Sequence, residues 1–184
     1  ELVSPVEISQ VAGKFKVSLF PYPSISMGTQ PFPEFNLAWV YSTLLVRNGF
    51  LKYPSFIKAI CTADGDTIFN SEQMRSRKEP QIISSKTGKI LKQALRESIE
   101  YGTSKNFREF LSLQSRDICA KTGTSEQYYH VGTTGVIDNY TFSLLLQSRY
   151  LKKDAGIIAV PLAGKILNSL IHNGYEKAVT NIFY

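Results

Sequence analysis

Apolar positions recur at helical spacing between residues 84 and 101, where Ile90, Leu91, Ala94, Leu95, Ser98 and Ile99 fall on one side. Ser84 or Ser85 can cap the start of that helix, and Gly102 its end. Residues 34–48 gather Leu37, Ala38, Tyr41, Leu44 and Leu45 and close on Asn48-Gly49, which predicts a second helix. A terminal helix carries Ile157, Leu162, Ile166, Leu167, Leu170 and Ile171 and ends at Asn173-Gly174. Beyond residue 112 and ahead of that last helix the pattern turns to strands, over 117–125, 129–137 and 140–148, with a turn at Asp138-Asn139. Residues 56–61 and 67–70 flank Asp64-Gly65, a hairpin signal. The first 33 residues read as a helix fragment and then, after Val17, an irregular loop through Pro21, Pro23, Pro31 and Pro33. Residues 71–80 read as a solvated charged loop, and Phe107, Phe110 and Leu111 as a short amphipathic segment. Three adjacent antiparallel strands followed by a covering helix predict an α+β fold.

Composition adds bounds rather than identity. At 184 residues and 43% hydrophobic, the chain can bury one sizeable core, as a single domain or a large piece of one. The net charge of +6 is compatible with cell-wall polymer, membrane surface or nucleic acid. Its basic residues are spread along the chain without an arginine-rich block, which argues against nucleic acid. The apolar stretch 156–164 is interrupted by Pro161 and is too short to span a bilayer. Cys61 and Cys119 could at most form one disulfide; their apolar neighbours make buried free thiols the default, and neither has a metal-ligand partner at a useful spacing. The opening on Glu1 rather than methionine predicts a trimmed or truncated polypeptide.

Candidate chemistry centres on Lys-Thr-Gly, which occurs at residues 86–88 and again at 121–123, followed by Thr124. A tripeptide serving an extended peptide substrate needs an exposed edge strand, where its backbone can pair with the ligand and a glycine lets it approach. Residues 118–124 can supply that strand, whereas the first copy opens the helix at 84–101.

The second copy resembles the third signature of the serine acyltransferases that bind penicillin. Other short matches in order resemble the transpeptidase domain of class A (bifunctional) penicillin-binding proteins. Pro23-Ser24-Ile25-Ser26-Met27-Gly28-Thr29 is similar to that family's P-S-x-x-L-G-T, and Leu37-Ala38, Tyr41, Leu44 and Asn48-Gly49 to its A-x-x-Y-x-x-x-A-N-G helix. Tyr53-Pro54-Ser55-Phe56-Ile57 with Asp64-Gly65 resembles its hairpin, and Gly102-Thr103 the turn upstream of K-T-G. The resemblance covers roughly residues 10–172. It departs at Tyr128-Tyr129-His130-Val131-Gly132, where the family usually runs through an aspartate and a Trp-Phe pair.

The resemblance implies that this chain is the C-terminal portion of such a domain, with the nucleophile motif S-x-x-K and the S-x-N motif upstream of Glu1. It implies a DD-transpeptidase that cross-links cell-wall stem peptides through a serine acyl-enzyme and is acylated by β-lactams. Lys121 would place a positive charge beside the serine and the substrate carboxylate, Thr122 and Thr124 would offer hydroxyls to that carboxylate, and the Thr124 backbone N–H would be one oxyanion donor. Gly123 would let the D-Ala-D-Ala peptide approach. Implied partners are that peptide, β-lactams and the remainder of the domain. No cofactor or metal is implied, no nucleic acid, and a membrane only through an anchor outside this chain. The implied location is extracytoplasmic, in the periplasm or on the outer face of the cytoplasmic membrane. The alternative is an inactive module of the same fold that binds a partner protein or cell-wall peptide.

Two further matches are weighed by their setting. Ser55-Phe56-Ile57-Lys58 spells S-x-x-K in a strand-like stretch, where residues three apart point to opposite faces and lysine cannot take the serine proton. Ser104-Lys105-Asn106 spells S-x-N in what reads as a turn. Histidine chemistry has only His130 and His172 to draw on, without a G-x-S-x-G elbow, and His172 reads as a helix-end partner. A P-loop at Gly88-Lys89 lacks its first glycine, which Ile83 replaces. Tyr128 and Tyr129 read as sheet surface more readily than as a ligand-stacking pair.

Overall fold

The computed structural model describes residues 3–71 and 79–173. Most of the charged loop expected at 71–80 and the Gly174 end of the terminal helix therefore lie outside the described residues.

The N-terminal helix α1 (Pro5–Lys14) starts at a reciprocal cap. Ser4 Oγ accepts from the Glu7 N–H, and the Glu7 carboxylate accepts from the Ser4 N–H at 2.7 Å. An irregular run follows and contains a single 3-10 turn, Pro23–Met27. Helix α2 (Glu34–Tyr41) continues into a π-turn, Ser42–Val46, instead of running as one α-helix to residue 48. The expected stop at Asn48-Gly49 is where the chain turns: both residues have positive φ, 53° and 86°. A Cβ on Gly49 would stand 2.2 Å from the Ile83 carbonyl oxygen, so the close crossing there also requires glycine.

Helix α2 and its π-turn are together covered on more than the expected side. Leu45 joins Cys119 and Val136 with Tyr41 and Leu44 around it. Trp39 packs in a separate cluster with Ala12, Phe15, Val17 and Leu51. Its ring lies edge-on to Phe15 with centroids 5.5 Å apart, and its Nε1 donates to the Lys52 carbonyl at 2.6 Å. An aromatic N–H inside a core needs such an acceptor.

The hairpin at Asp64-Gly65 forms as two short antiparallel strands, β1 (Ala59–Cys61) and β2 (Thr67–Asn70), shorter than the 56–61 run expected for its first arm. Cys61 is exposed there, against the expectation of a buried thiol, because both strands lie at the surface; Cys119 is buried as expected. Helix α3 (Ser85–Glu100) begins at Ser84, whose Oγ accepts from the Thr87 N–H at 3.1 Å. Its end falls at Tyr101, and Gly102 is not a left-handed cap. Gly102 instead passes tightly over the preceding turn, where a Cβ would stand 2.8 Å from Ser98 Cα.

A 3-10 turn, Lys105–Glu109, and the short helix α4 (Leu111–Gln114) follow. Phe107 from the turn is fully buried and Phe110 packs against the same core, while the Leu111 side chain lies outside what is described. Three strands, β3 (Ile118–Thr124), β4 (His130–Ile137) and β5 (Tyr140–Gln147), form an antiparallel meander in the order β3-β4-β5. The register pairs Lys121 with Thr134 and Thr124 with Val131, and then Thr134 with Ser143.

Helix α5 (Ala159–His172) covers one face of this sheet, with only part of the stripe its pattern promised. Val160 and Ala163, with Leu167 and Ile171, pack against Ile118, Ala120, Ile137, Phe142 and Leu144. Ile157, Leu162, Ile166 and Leu170 face outward at 53%, 37%, 45% and 44% exposure. The inward stripe includes Gly164, above which the Phe110 ring lies so close that a Cβ would meet it at 2.2 Å. Small residues at that contact let the helix approach the ring, and a count of large apolar residues overlooks them. His172 stands in the last turn of α5, as expected of a helix-end partner.

Candidate functional site

Strand β3 is an edge strand: β4 pairs with one side of it, and no strand among the described residues pairs with the other. Its first half is buried, Ile118, Cys119 and Ala120 each at 3% exposure or less, and its second half emerges at Lys121, Gly123 and Thr124. Helix α3 anchors the buried half. Arg96 Nε donates to Asp117 Oδ1 at 2.9 Å and Lys92 Nζ lies 2.7 Å from Oδ2. Burial alone would push the Asp117 carboxyl up, but the hydrogen bonds and charges of Lys92 and Arg96 outweigh it and hold the group below the ordinary aspartate range. Asp138 caps the same end, accepting from the Asp117 N–H at 3.1 Å and from Arg116 at 2.6 Å. Beneath the strand, burial pushes the Cys119 thiol up, with a smaller opposing pull from Lys92. Burial, with a lesser contribution from Cys119, pushes the Tyr41 phenol up to about 12. Both groups are neutral packing partners at physiological pH.

Alternation along β3 sends Lys121 and Gly123 to one face and Thr122 and Thr124 to the other. The two sets flank the free edge from opposite sides. Lys121 Nζ donates to the Thr122 carbonyl at 3.0 Å. Its cross-strand partner Thr134 belongs to a polar row: Thr134 Oγ1 lies 2.7 Å from Ser143 Oγ, which donates to Glu34 Oε2 at 2.7 Å. On the opposite face, Thr122 Oγ1 lies 2.6 Å from Thr103 Oγ1, and Thr124 Oγ1 accepts from the Ala155 N–H at 3.0 Å.

The two Lys-Thr-Gly copies differ most at their glycines. Gly88 is buried in α3, and a Cβ on it would stand 2.7 Å from the Leu44 carbonyl oxygen, so this glycine serves helix packing. Gly123 has no atom within 4 Å of where its Cβ would be, and its φ is not positive. Neither its own backbone nor its neighbours in this chain require glycine there, which leaves room for something that approaches from outside. Gly88→Ala is therefore expected to cost about 1–3 kcal/mol of stability by overpacking. Gly123→Ala is expected to stay within about 0.5 kcal/mol while weakening any ligand that lies along the strand. Urea titration of both variants checks this, and a Gly123→Ala loss as large as that of Gly88→Ala would contradict it.

The other sequence candidates separate from this site. Ser55 sits in an irregular segment ahead of β1 and donates to the Ile57 carbonyl at 2.8 Å, a local turn contact. Ser104 is fully buried and accepts from Ser98 Oγ at 3.0 Å, while Asn106 donates to the Gly156 carbonyl at 3.1 Å. Both are structural. Tyr128 and Tyr129 lie in the turn between β3 and β4 rather than on a strand, with Gln127 and Tyr128 at φ 55° and 61°. Positive φ is costly for such side chains, and Ser125 secures the turn, its Oγ accepting from the His130 N–H at 2.9 Å. Thr103 is the contact that sequence reasoning left as part of a turn. Its signals were its place directly after a helix and the resemblance of Gly102-Thr103 to the turn upstream of K-T-G, and nothing local connects it to residue 122.

Among the described residues no group of His, Cys, Asp and Glu is arranged to hold a metal, and no helix is long and apolar enough to cross a membrane. A family profile described as the penicillin binding protein transpeptidase domain matches residues 35–168. No curated protein sequence matches the chain. Penicillin-Binding Protein 1A from Haemophilus influenzae superposes over 91% of this chain with a TM-score of 0.75 at 17% identity. Penicillin-binding protein A from M. tuberculosis, an imipenem acyl-enzyme complex, covers 90% with a TM-score of 0.62 at 14% identity. The D,D-transpeptidase domain of a peptidoglycan glycosyltransferase from Eggerthella lenta covers 76% with a TM-score of 0.57 at 17% identity. At these identities the likeness is one of fold, and the chain spans 31%, 42% and 32% of those three chains respectively.

Proposed function

From a chain that belongs to the penicillin-binding protein transpeptidase family, we propose that residues 1–184 form the C-terminal portion of a peptidoglycan DD-transpeptidase domain and supply one wall of its active site. The observation that carries the reading is the placement of Lys121-Thr122-Gly123-Thr124 on the exposed half of a free edge strand, with open space over Gly123. An extended stem peptide ending in D-Ala-D-Ala adds to that edge as a further strand. Lys121 supplies fixed positive charge near the reacting carbonyl. Thr122 and Thr124 donate to the terminal carboxylate, and the Thr124 N–H is one oxyanion donor.

The reaction runs in two balanced steps. A serine hydroxyl from the upstream part of the domain attacks the amide carbonyl of the penultimate D-Ala, the C–N bond breaks, and the terminal D-Ala leaves with the proton. The amine of a second stem peptide then attacks the ester, forming a new amide and returning the proton to the serine. A β-lactam follows the first step and stalls at the ester. The remainder of the domain docks against this chain, and the outward Leu162, Ile166 and Leu170 of α5, with Ile157 in the turn ahead of it, are apolar surface available to it. The ordered motifs support the class A, bifunctional branch of the family. The site lies outside the cytoplasmic membrane, where its polymer is.

Fluorescent penicillin tests the reading. This chain alone is expected to take no covalent label, and an assembly with the remainder of the domain is expected to be labelled on a serine outside residues 1–184, located by peptide mass. An adduct on Ser55 would overturn the assignment. A folded assembly that takes no label would favour the inactive binding module.

A further inference from the structure

We infer that Thr103, in the turn after α3, is a positioning residue for the ligand carboxylate: its hydroxyl directs the proton that Thr122 presents. The inference rests on the proposed role of Thr122 and Thr124 in binding that carboxylate. The Thr103 and Thr122 hydroxyl oxygens are 2.6 Å apart and either can be the donor. Two hydroxyls in contact use one hydrogen between them and keep the other free. Thr124 accepts from the Ala155 N–H, so its own hydrogen also remains available. Two donors are thus available along one face of the exposed edge strand.

A carboxylate accepts only, so its arrival selects one of the two arrangements. Thr103 donates to Thr122, and Thr122 donates to the carboxylate. Each bond polarises the next, and the bond to the charged oxygen gains most. Beneath them Thr133, the cross-strand partner of Thr122, is 1% exposed and its hydroxyl has no hydrogen-bond partner among the described residues. It makes no hydrogen bond to Thr122, whose hydroxyl contact is Thr103.

The turn that carries Thr103 is held without help from its hydroxyl. A Cβ on Gly156 would stand 2.6 Å from the Thr103 carbonyl oxygen, so the 154–157 loop presses directly against the turn. Asn106 ties the same loop by its bond to the Gly156 carbonyl, and Ser98 ties the turn back to α3 through Ser104. The Thr103 side chain itself is exposed. Its hydroxyl is placed against Thr122 by packing that other residues supply.

The test uses the assembled domain and two ligands, a penicillin and the methyl ester of its carboxyl group. Thr103→Val is expected to lower the second-order acylation rate for the penicillin by about five- to tenfold and for the ester by less than about twofold. Thr103→Ser, which keeps the hydroxyl, is expected to restore the ratio of the two rates. Equal losses for both ligands, or none for either, would overturn the inference while leaving the transpeptidase reading intact. A wild-type assembly that reacts with neither ligand would overturn both.

Discussion

Replacing Lys121 with alanine in the assembled domain is expected to lower the rate of acylation by penicillin by on the order of a hundredfold or more. The ammonium stands on the exposed half of β3, held against the Thr122 carbonyl. In the proposed reaction it would supply positive charge where negative charge develops as the serine attacks, and alanine would leave that charge to water. Stability is expected to change by less than about 0.5 kcal/mol, because the side chain is exposed. Lys86→Ala is the matched control, with the same tripeptide in a different place. Lys86 lies in the first turn of α3, where a positive charge opposes the helix dipole, so its removal is expected to leave acylation unchanged and stability level or slightly raised. Rapid-mixing measurement of acylation for both variants decides the matter. Equal losses, with both proteins folded, would mean that the strand copy has no special role.

The second large effect is on stability. Phe107→Ala is expected to cost about 3–5 kcal/mol, a substantial part of the 5–15 kcal/mol that holds a typical domain together. Phe107 is fully buried among Ile99, Leu113, Ile118, Ala120, Ile137, Val160 and Ala163, and its ring meets Phe142 edge-on at 5.6 Å between centroids. It joins α3, the sheet and α5 at one point, so the cavity left by alanine cannot close without moving all three. Phe56→Ala is the comparison: that ring is 86% exposed and touches Phe35 at the surface, so a change within about 0.5 kcal/mol is expected. Urea denaturation midpoints for the two variants should differ widely. A small Phe107→Ala effect would show that the three elements are not coupled through this ring.

Much of the architecture was legible in the chain because local patterns and long-range packing agree there. The run of strands after residue 112, the turn at Asp138-Asn139, the Ser84 cap and the turn at Asn48-Gly49 all appear where periodicity and turn chemistry put them. The placement of the second Lys-Thr-Gly on a strand and of the first at a helix start was legible for the same reason. Each depends on residues within a few positions of one another, and such interactions are written in sequence order.

What local order does not encode was decided by contacts between distant segments. The helix at residue 34 gives way to a π-turn where it meets the sheet and α3. In α5 the inward stripe is the one with Ala163 and Gly164, because Phe110 already occupies the space and only a small residue can pass beneath it. Cys61 is exposed because the strand that carries it lies at the surface, though its neighbours are apolar. Gly88 and Gly123 are the same letter in the same tripeptide, and only folding brings the Leu44 carbonyl against one and leaves open space over the other. Thr103 and Thr122 are nineteen residues apart and meet at 2.6 Å because α3, its turn and β3 converge at that edge. The sequence alone determined the order of helix and strands from residue 84 onward and the turns at Asn48-Gly49 and Asp138-Asn139, since those follow from periodicity and turn residues. Which faces are buried and which side chains meet at the strand edge was decided only by tertiary structure, because steric fit and hydrogen bonding depend on distance in space.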